Sequence, residues 1–352
     1  MYLTPIRVRG KRRRPGEPSA IHLPKRPKTK TQKKHRKPRA MRASYFEREV
    51  PLEVLERIFW FSENVNLPRC SPRFGRLLSG PSTLRETFIA AFGPTWDVWY
   101  GCVQDTKRNA RTVHSYTGWD HDSDRFGGNP VFQSALLEYP WANISFILDC
   151  FDLWVRRHAR DRPFEHIKIW GNSESADDGA TAESSDGTSK VREAKYYFLH
   201  DYHAFRQVEE HETSATAAAY LQELAPASWI EVHRDTRIPD DLLTGPWNDE
   251  ALQKLFWLVR AGARLSPEQT WEITQEGFQN AVSDTKPPTG NLNLTVIRLL
   301  DILGAFKTWP IHIGVEEYEK LARIHSSRAS RSSWGFYYKY AYIMARLHDF
   351  VV

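Results

Sequence analysis

The chain has 352 residues, enough for several domains or one large one. Its charge is segregated: residues 1–43 carry 16 Lys and Arg against the single acid Glu17, while the remainder holds 33 basic and 42 acidic residues. Three scattered cysteines (Cys70, Cys102, Cys150), with no run of 18 apolar residues, argue against a disulfide framework, a zinc module or a membrane span; the expectation is a soluble protein of the nucleus, the cytoplasm or both.

Residues 1–43 are rich in Pro and Lys, with no large apolar side chain between Leu23 and Met41. Such a segment buries too little surface to offset its ordering entropy and reads as disordered. Lys11, Arg12, Arg13 and Arg14, then Lys25, Arg26 and Lys28, form dense basic clusters of the kind that import receptors or nucleic acid bind. They are read as a nuclear import signal, with nucleic-acid association through the same segment as the alternative. Frequent Pro and the lack of an amphipathic period argue against a mitochondrial presequence.

Helical spacing starts abruptly at "VPLEVLERIFWF". Pro51 suits the first position of a helix. Leu52, Leu55 and Phe59 recur on one side, and Val54, Ile58 and Phe61 on another. Successive helical residues point 100° apart, so Phe59, Trp60 and Phe61 span about 200° and cannot share one core. A helix with two apolar sides is expected to lie between its own domain and a partner.

A short piece follows through Leu67, Cys70, Phe74 and Leu78. A third helix starts near "PSTLRETFIAAF", with Ser82 or Thr83 as cap and Glu86 in the capping-box position. Residues 95–140 lack a sustained period and are expected to be mostly loop, with a short helix from Val131 to Leu137. "NISFILDCFDLWVRRH" carries a stripe of Ile144, Ile147, Leu148, Phe151 and Val155 and ends in basic residues suited to the negative helix end.

"EHIKIW" (165–170) and "AKYYFLH" (194–200) alternate like strands. They flank 171–190, where 13 of 20 residues are Gly, Ser, Ala or Thr and five are acidic, which reads as a disordered insert at the tip of a hairpin. The C-terminal half is helical: one helix capped by Asn248 or Asp249 and stopped at Gly262, one ending at Gly304, and a last one with Phe336, Tyr340, Ile343 and Leu347 on one face. The expected fold is mainly α: a three-helix unit at 44–92, then an irregular α-rich region at 93–352 with a small β-hairpin.

Chemistry finds little support. In "DHDSDRFGGNPV" (120–131), Arg125 stands where a calcium loop needs Gly and Val131 where it needs Glu. His200, His203, Glu209, Glu210 and His211 have no zinc frame around them and read as ordinary polar surface. No phosphate loop, nucleophile elbow or Cys/His catalytic pattern occurs, and no cofactor or catalytic residue is assigned. Asn143 and Asn293 fall in Asn-x-Ser/Thr triplets, which carry no meaning without a secretory route.

Val50 to Leu78 resembles an F-box, the roughly 40-residue three-helix module that docks on the Skp adaptor of cullin-RING ubiquitin ligases. The match lies in Pro51, Leu52, Glu53, Leu55, Ile58 and Phe59, and more weakly in "NLPRCSPRF". There Ser71-Pro72-Arg73-Phe74 replaces the usual cysteine-centred sequence and Trp. Residues 50–350 are also similar in style to uncharacterised fungal F-box proteins, in "GNPVFQSALL", "RRHA", "RPFEH" and "GPW…LVRAGA".

The resemblance implies a non-catalytic, substrate-recognition subunit of a ubiquitin ligase. Pro51, Leu52, Leu55, Ile58, Phe59, Leu67 and Phe74 would meet the adaptor, and the C-terminal region would hold an unidentified protein substrate. No membrane partner is implied.

Overall fold

The computed structural model describes residues 45–100, 126–159, 162, 194–210, 230–283, 292–328, 334–348 and 350. The readings for residues 1–43, for the strand at 165–170 and for the acidic insert at 171–190 lie outside these. Phe46–Val352 forms one compact unit, described below.

Among the described residues the regular structure is helical and no strand occurs. In chain order the helices are α1 (Tyr45–Glu49), α2 (Leu52–Ser62), α3 (Pro72–Leu78), α4 (Pro81–Trp99), α5 (Pro130–Leu137), α6 (Ile144–His158), α7 (Ala194–Glu210), α8 (Asp240–Thr244), α9 (Asp249–Arg260), α10 (Trp271–Ser283), α11 (Leu294–Ile302), α12 (Ile311–Arg328) and α13 (Trp334–His348). Short 3-10 turns lie at Leu67–Arg69 and Ala305–Thr308.

The expected β-hairpin is corrected: "AKYYFLH" opens α7. Its alternation is only seven residues long. Continued to Phe198, Tyr202 and Phe205, the spacing becomes four and three, and those three rings are buried while Tyr196 is exposed.

Helix starts follow local hydrogen-bond chemistry. Asn129, Asn143, Asn248 and Asn293 each cap a helix by accepting from a backbone amide of the first turn. The two Asn-x-Ser/Thr triplets are therefore capping positions. α4 departs from expectation: Gly80 is its cap and Pro81 its first residue. Pro81 lacks the N–H that would need capping, which leaves Thr83 free to donate to Glu56 Oε1 (2.6 Å) and Glu86 to pair with Arg157 (2.8 Å).

α9 closes as sequence suggests. Gly262 adopts a left-handed φ of 90°, its amide donates to Val259 O, and the Ala263 amide donates to Leu258 O (3.0 Å), a Schellman closure.

Two corrections concern α4. It runs unbroken to Trp99, so residues 95–99 are helix rather than loop, and the expected domain boundary after residue 92 falls inside it. Its N-terminal half meets α2, while Phe88, Phe92 and Trp96, four residues apart, enter the large core. There Phe88 stacks on Phe92 (4.2 Å between centroids), and Trp96 meets Phe151 (4.9 Å) and Trp154 (5.8 Å) of α6 edge-on.

Buried polar groups lock this core. Gln133 of α5 uses its whole amide: Nε2 donates to Ala91 O and Thr95 Oγ1, and Oε1 accepts from the His233 amide and Thr236 Oγ1. Arg260, at the end of α9, donates to Asp201 Oδ2 of α7 (2.8 Å) and lies 3.6 Å from Glu231 Oε1. Glu231 also accepts from Trp257 Nε1 at Oε2, and from Trp96 Nε1 at its backbone carbonyl. Arg298 of α11 donates to Phe205 O and lies 4.0 Å over the Phe205 ring.

Gln133→Ala leaves the His233 amide and the Thr236 hydroxyl without their acceptor inside the core. At about 1–3 kcal/mol per orphaned group, urea denaturation should show a loss of roughly 3 kcal/mol or more.

Lys254 gives a pH signature. Its Nζ donates to Leu137 O (2.7 Å), and burial lowers its pKa to about 8 despite Asp241 and Glu250 nearby. The unfolded lysine titrates near 10.4, so between about pH 8 and 10 the unfolded state holds more protons and stability attributable to this group rises with pH. In Lys254→Met that contribution is absent. The Tm of wild type relative to the variant should therefore climb from pH 7.5 to 9.5, as differential scanning fluorimetry can check.

Candidate protein-docking site

α2 divides its side chains among three surroundings. Leu55 and Phe59 join Phe74 and Leu78 of α3 in a small core separate from the large one. Glu56 and Trp60 face α4: Glu56 accepts from the Thr83 hydroxyl, and Trp60 Nε1 donates to Thr87 Oγ1 (3.0 Å), which in turn donates to Thr83 O (2.7 Å). Val54, Ile58 and Phe61 point to solvent. Helical geometry places these three within an arc of about 60°, and Phe61 is 86% exposed.

The connection between α2 and α3 is tied down. Glu63, the α2 C-cap at a left-handed φ of 50°, accepts from Asn129 Nδ2 at the start of α5. Just beyond, Val65 O accepts from the Tyr139 hydroxyl (3.2 Å), and the Arg69 guanidinium lies 5.4 Å from the Tyr139 ring centre. With the α4 bonds, these contacts fix α2 so that its outer stripe is presented on a rigid element.

The expected docking residues separate into two groups. Pro51, Leu52 and Ile58 are exposed and Leu67 is half-buried, whereas Leu55, Phe59 and Phe74 are buried, with 0%, 4% and 5% of their surface accessible. This corrects their assignment to a partner surface. Those side chains face α2, α3 and the ring of Phe46, which meets Phe74 edge-on at 5.9 Å.

Val54 and Phe61 replace them as outward-facing residues, and Phe46 of α1 is exposed as well. The signal was in the sequence, because Val54, Ile58 and Phe61 already share one side of the helical pattern. Which side faces inward depends on where α3 and α4 pack.

The import residues Lys11, Arg12, Arg13, Arg14, Lys25, Arg26 and Lys28 lie outside the described residues. Among the described residues no group of His, Cys, Asp and Glu could hold a metal ion, and no helix is long and apolar enough to cross a membrane. Cys150 is buried against α4, and desolvation pushes its thiol up to about 12. It is therefore a packing residue rather than a nucleophile.

Compared with protein-family models, curated proteins and solved structures, the chain matches none.

The two faces of α2 differ in what truncation removes. Leu55→Ala opens a void in a four-residue core and should cost about 2–5 kcal/mol, whereas Phe61→Ala should stay within about 0.5 kcal/mol. Equilibrium denaturation, with hydrogen exchange reporting the α2 amides, separates the two.

Proposed function

We propose that this protein is the substrate-recognition subunit of a cullin-RING ubiquitin ligase, docking on a Skp adaptor through α1–α3. The observation that carries the reading is the Val54, Ile58 and Phe61 stripe: a rigid, exposed apolar face on the helix whose sequence resembles the first helix of an F-box. A polar rim of Glu53 and Arg57 beside an apolar centre suits a protein partner.

The region from α4 onward would hold a protein substrate near the charged E2. Its contribution is effective concentration, since tethering makes lysine attack nearly intramolecular. Within this reading the chain is not itself an enzyme, needs no cofactor and works in the nucleus, the cytoplasm or both. Charge segregation supports a second reading, nucleic-acid association through residues 1–43, which would weaken steeply with salt.

Binding of the full-length chain to purified Skp adaptor decides the first reading. An exposed aromatic anchor at an interface centre is worth about 2 kcal/mol or more, so Phe61→Ala should weaken binding roughly 30-fold at unchanged Tm. A wild-type chain that does not bind, or a Phe61→Ala, Ile58→Ala chain that binds as tightly as wild type, rejects it. Binding that persists in a chain lacking 1–43 leaves that segment an addressing or charge role.

A further inference from the structure

Several arginines of the body are neutralised within the fold. Arg157, Arg162, Arg206, Arg237, Arg260 and Arg346 each lie within 3.4 Å of a carboxylate oxygen. The segment from residue 64 to 85 contributes none of these pairs. It holds Arg69, Arg73, Arg76 and Arg85 and no acidic residue, although the chain beyond residue 43 is net acidic. Among the described residues, none of Arg69, Arg73 and Arg76 has a carboxylate partner. Arg69 engages Asn66 Oδ1 and the Tyr139 ring, and Arg76 Nε donates to Pro72 O.

On α3, Phe74 and Leu78 are buried. Arg76 lies about 180° around the helix from the midpoint of that pair, and Arg73 about 60° from Arg76. Exposed Arg76 and half-buried Arg73 thus lie on the outer side of a short helix that is packed directly on α2.

We infer that the outer side of α3 is an electrostatic docking surface for an acidic protein face, and that this face belongs to the adaptor that α2 engages. The inference rests on the reading of α2 just given and adds the chemistry of the partner. Guanidiniums left without internal counter-charges keep their full field in solvent, which steers an acidic partner toward the apolar stripe before contact. The two helices then divide the work: α3 governs encounter, and the α2 stripe governs residence.

The test is the kinetics of the full-length chain with purified Skp adaptor from 50 to 400 mM NaCl, using Arg73→Glu with Arg76→Glu and, separately, Phe61→Ala. The double reversal should lower the on-rate about tenfold at low salt and flatten its salt dependence, with the off-rate within about twofold. Phe61→Ala should do the opposite, raising the off-rate at a nearly constant on-rate. Equal Tm for the double reversal and wild type establishes that folding is not the cause.

An unchanged on-rate and salt slope overturns the inference. If wild type does not bind the adaptor, the ligase reading fails by itself, and poly-L-glutamate binding to the full chain decides the α3 surface. A loss of threefold or more on double reversal sustains it, and equal binding overturns it. Loss of binding to a single-stranded oligonucleotide, with poly-L-glutamate binding intact, also overturns it, in favour of a phosphate ligand.

Discussion

The charge of Arg260 is the constraint around which the large core is organised. A guanidinium 1% exposed in an apolar interior costs several kcal/mol unless it is paired and hydrogen-bonded, so its partners cannot be moved independently. Asp201 brings α7 to it and Glu231 brings the segment before α8. Glu231 in turn holds the indoles of Trp96 and Trp257, which orients α4 and α9. Four segments far apart in sequence meet at one charge. Such a network specifies a single arrangement more than it adds stability, because an apolar set of similar volume could bury as much surface without desolvating ions.

From that centre the rigidity passes outward along α4. Trp96, Phe92 and Phe88 anchor its later turns in the large core, while Thr83 and Thr87 in its first turns hold α2. The small core of Leu55, Phe59, Phe74 and Leu78 is too slight to stand alone, so the N-terminal helices borrow their order from α4. This is the reason that α2 can leave Val54, Ile58 and Phe61 in water. Its inner face and its polar flank are both engaged, and the outer stripe is free to meet another protein without disturbing the fold.

The same layout bears on how docking and recognition would communicate. A module joined to the rest by a flexible linker would transmit orientation poorly, whereas here a continuous helix runs from the α2 contacts to the Trp96 cluster. Glu63 with Asn129 and Val65 with Tyr139 add a second attachment on the other side of the hairpin. In the proposed ligase, such stiffness would hold a substrate at a fixed distance from the adaptor, which is the condition under which tethering accelerates transfer.

Much of the local structure was legible in the residues. The stripe from Ile144 to Val155, the Asn248 cap, the Gly262 and Gly304 stops and the buried Tyr340, Ile343 and Leu347 all follow from spacing and capping chemistry that act within one or two turns. α7 was misread because seven alternating residues fit a strand as well as a helix until Tyr202 and Phe205 extend the period. The boundary at residue 92 failed because α4 serves two cores, and no local signal marks a shared helix. For the candidate site, the sequence determined that α2 has two apolar sides, since helical geometry alone puts Phe59 and Phe61 on different faces. Only the tertiary structure decided that Leu55 and Phe59 face inward and Val54, Ile58 and Phe61 outward. Both sides are equally apolar, and the choice between them rests on where Phe74, Thr83 and Thr87 come to lie, which long-range packing sets.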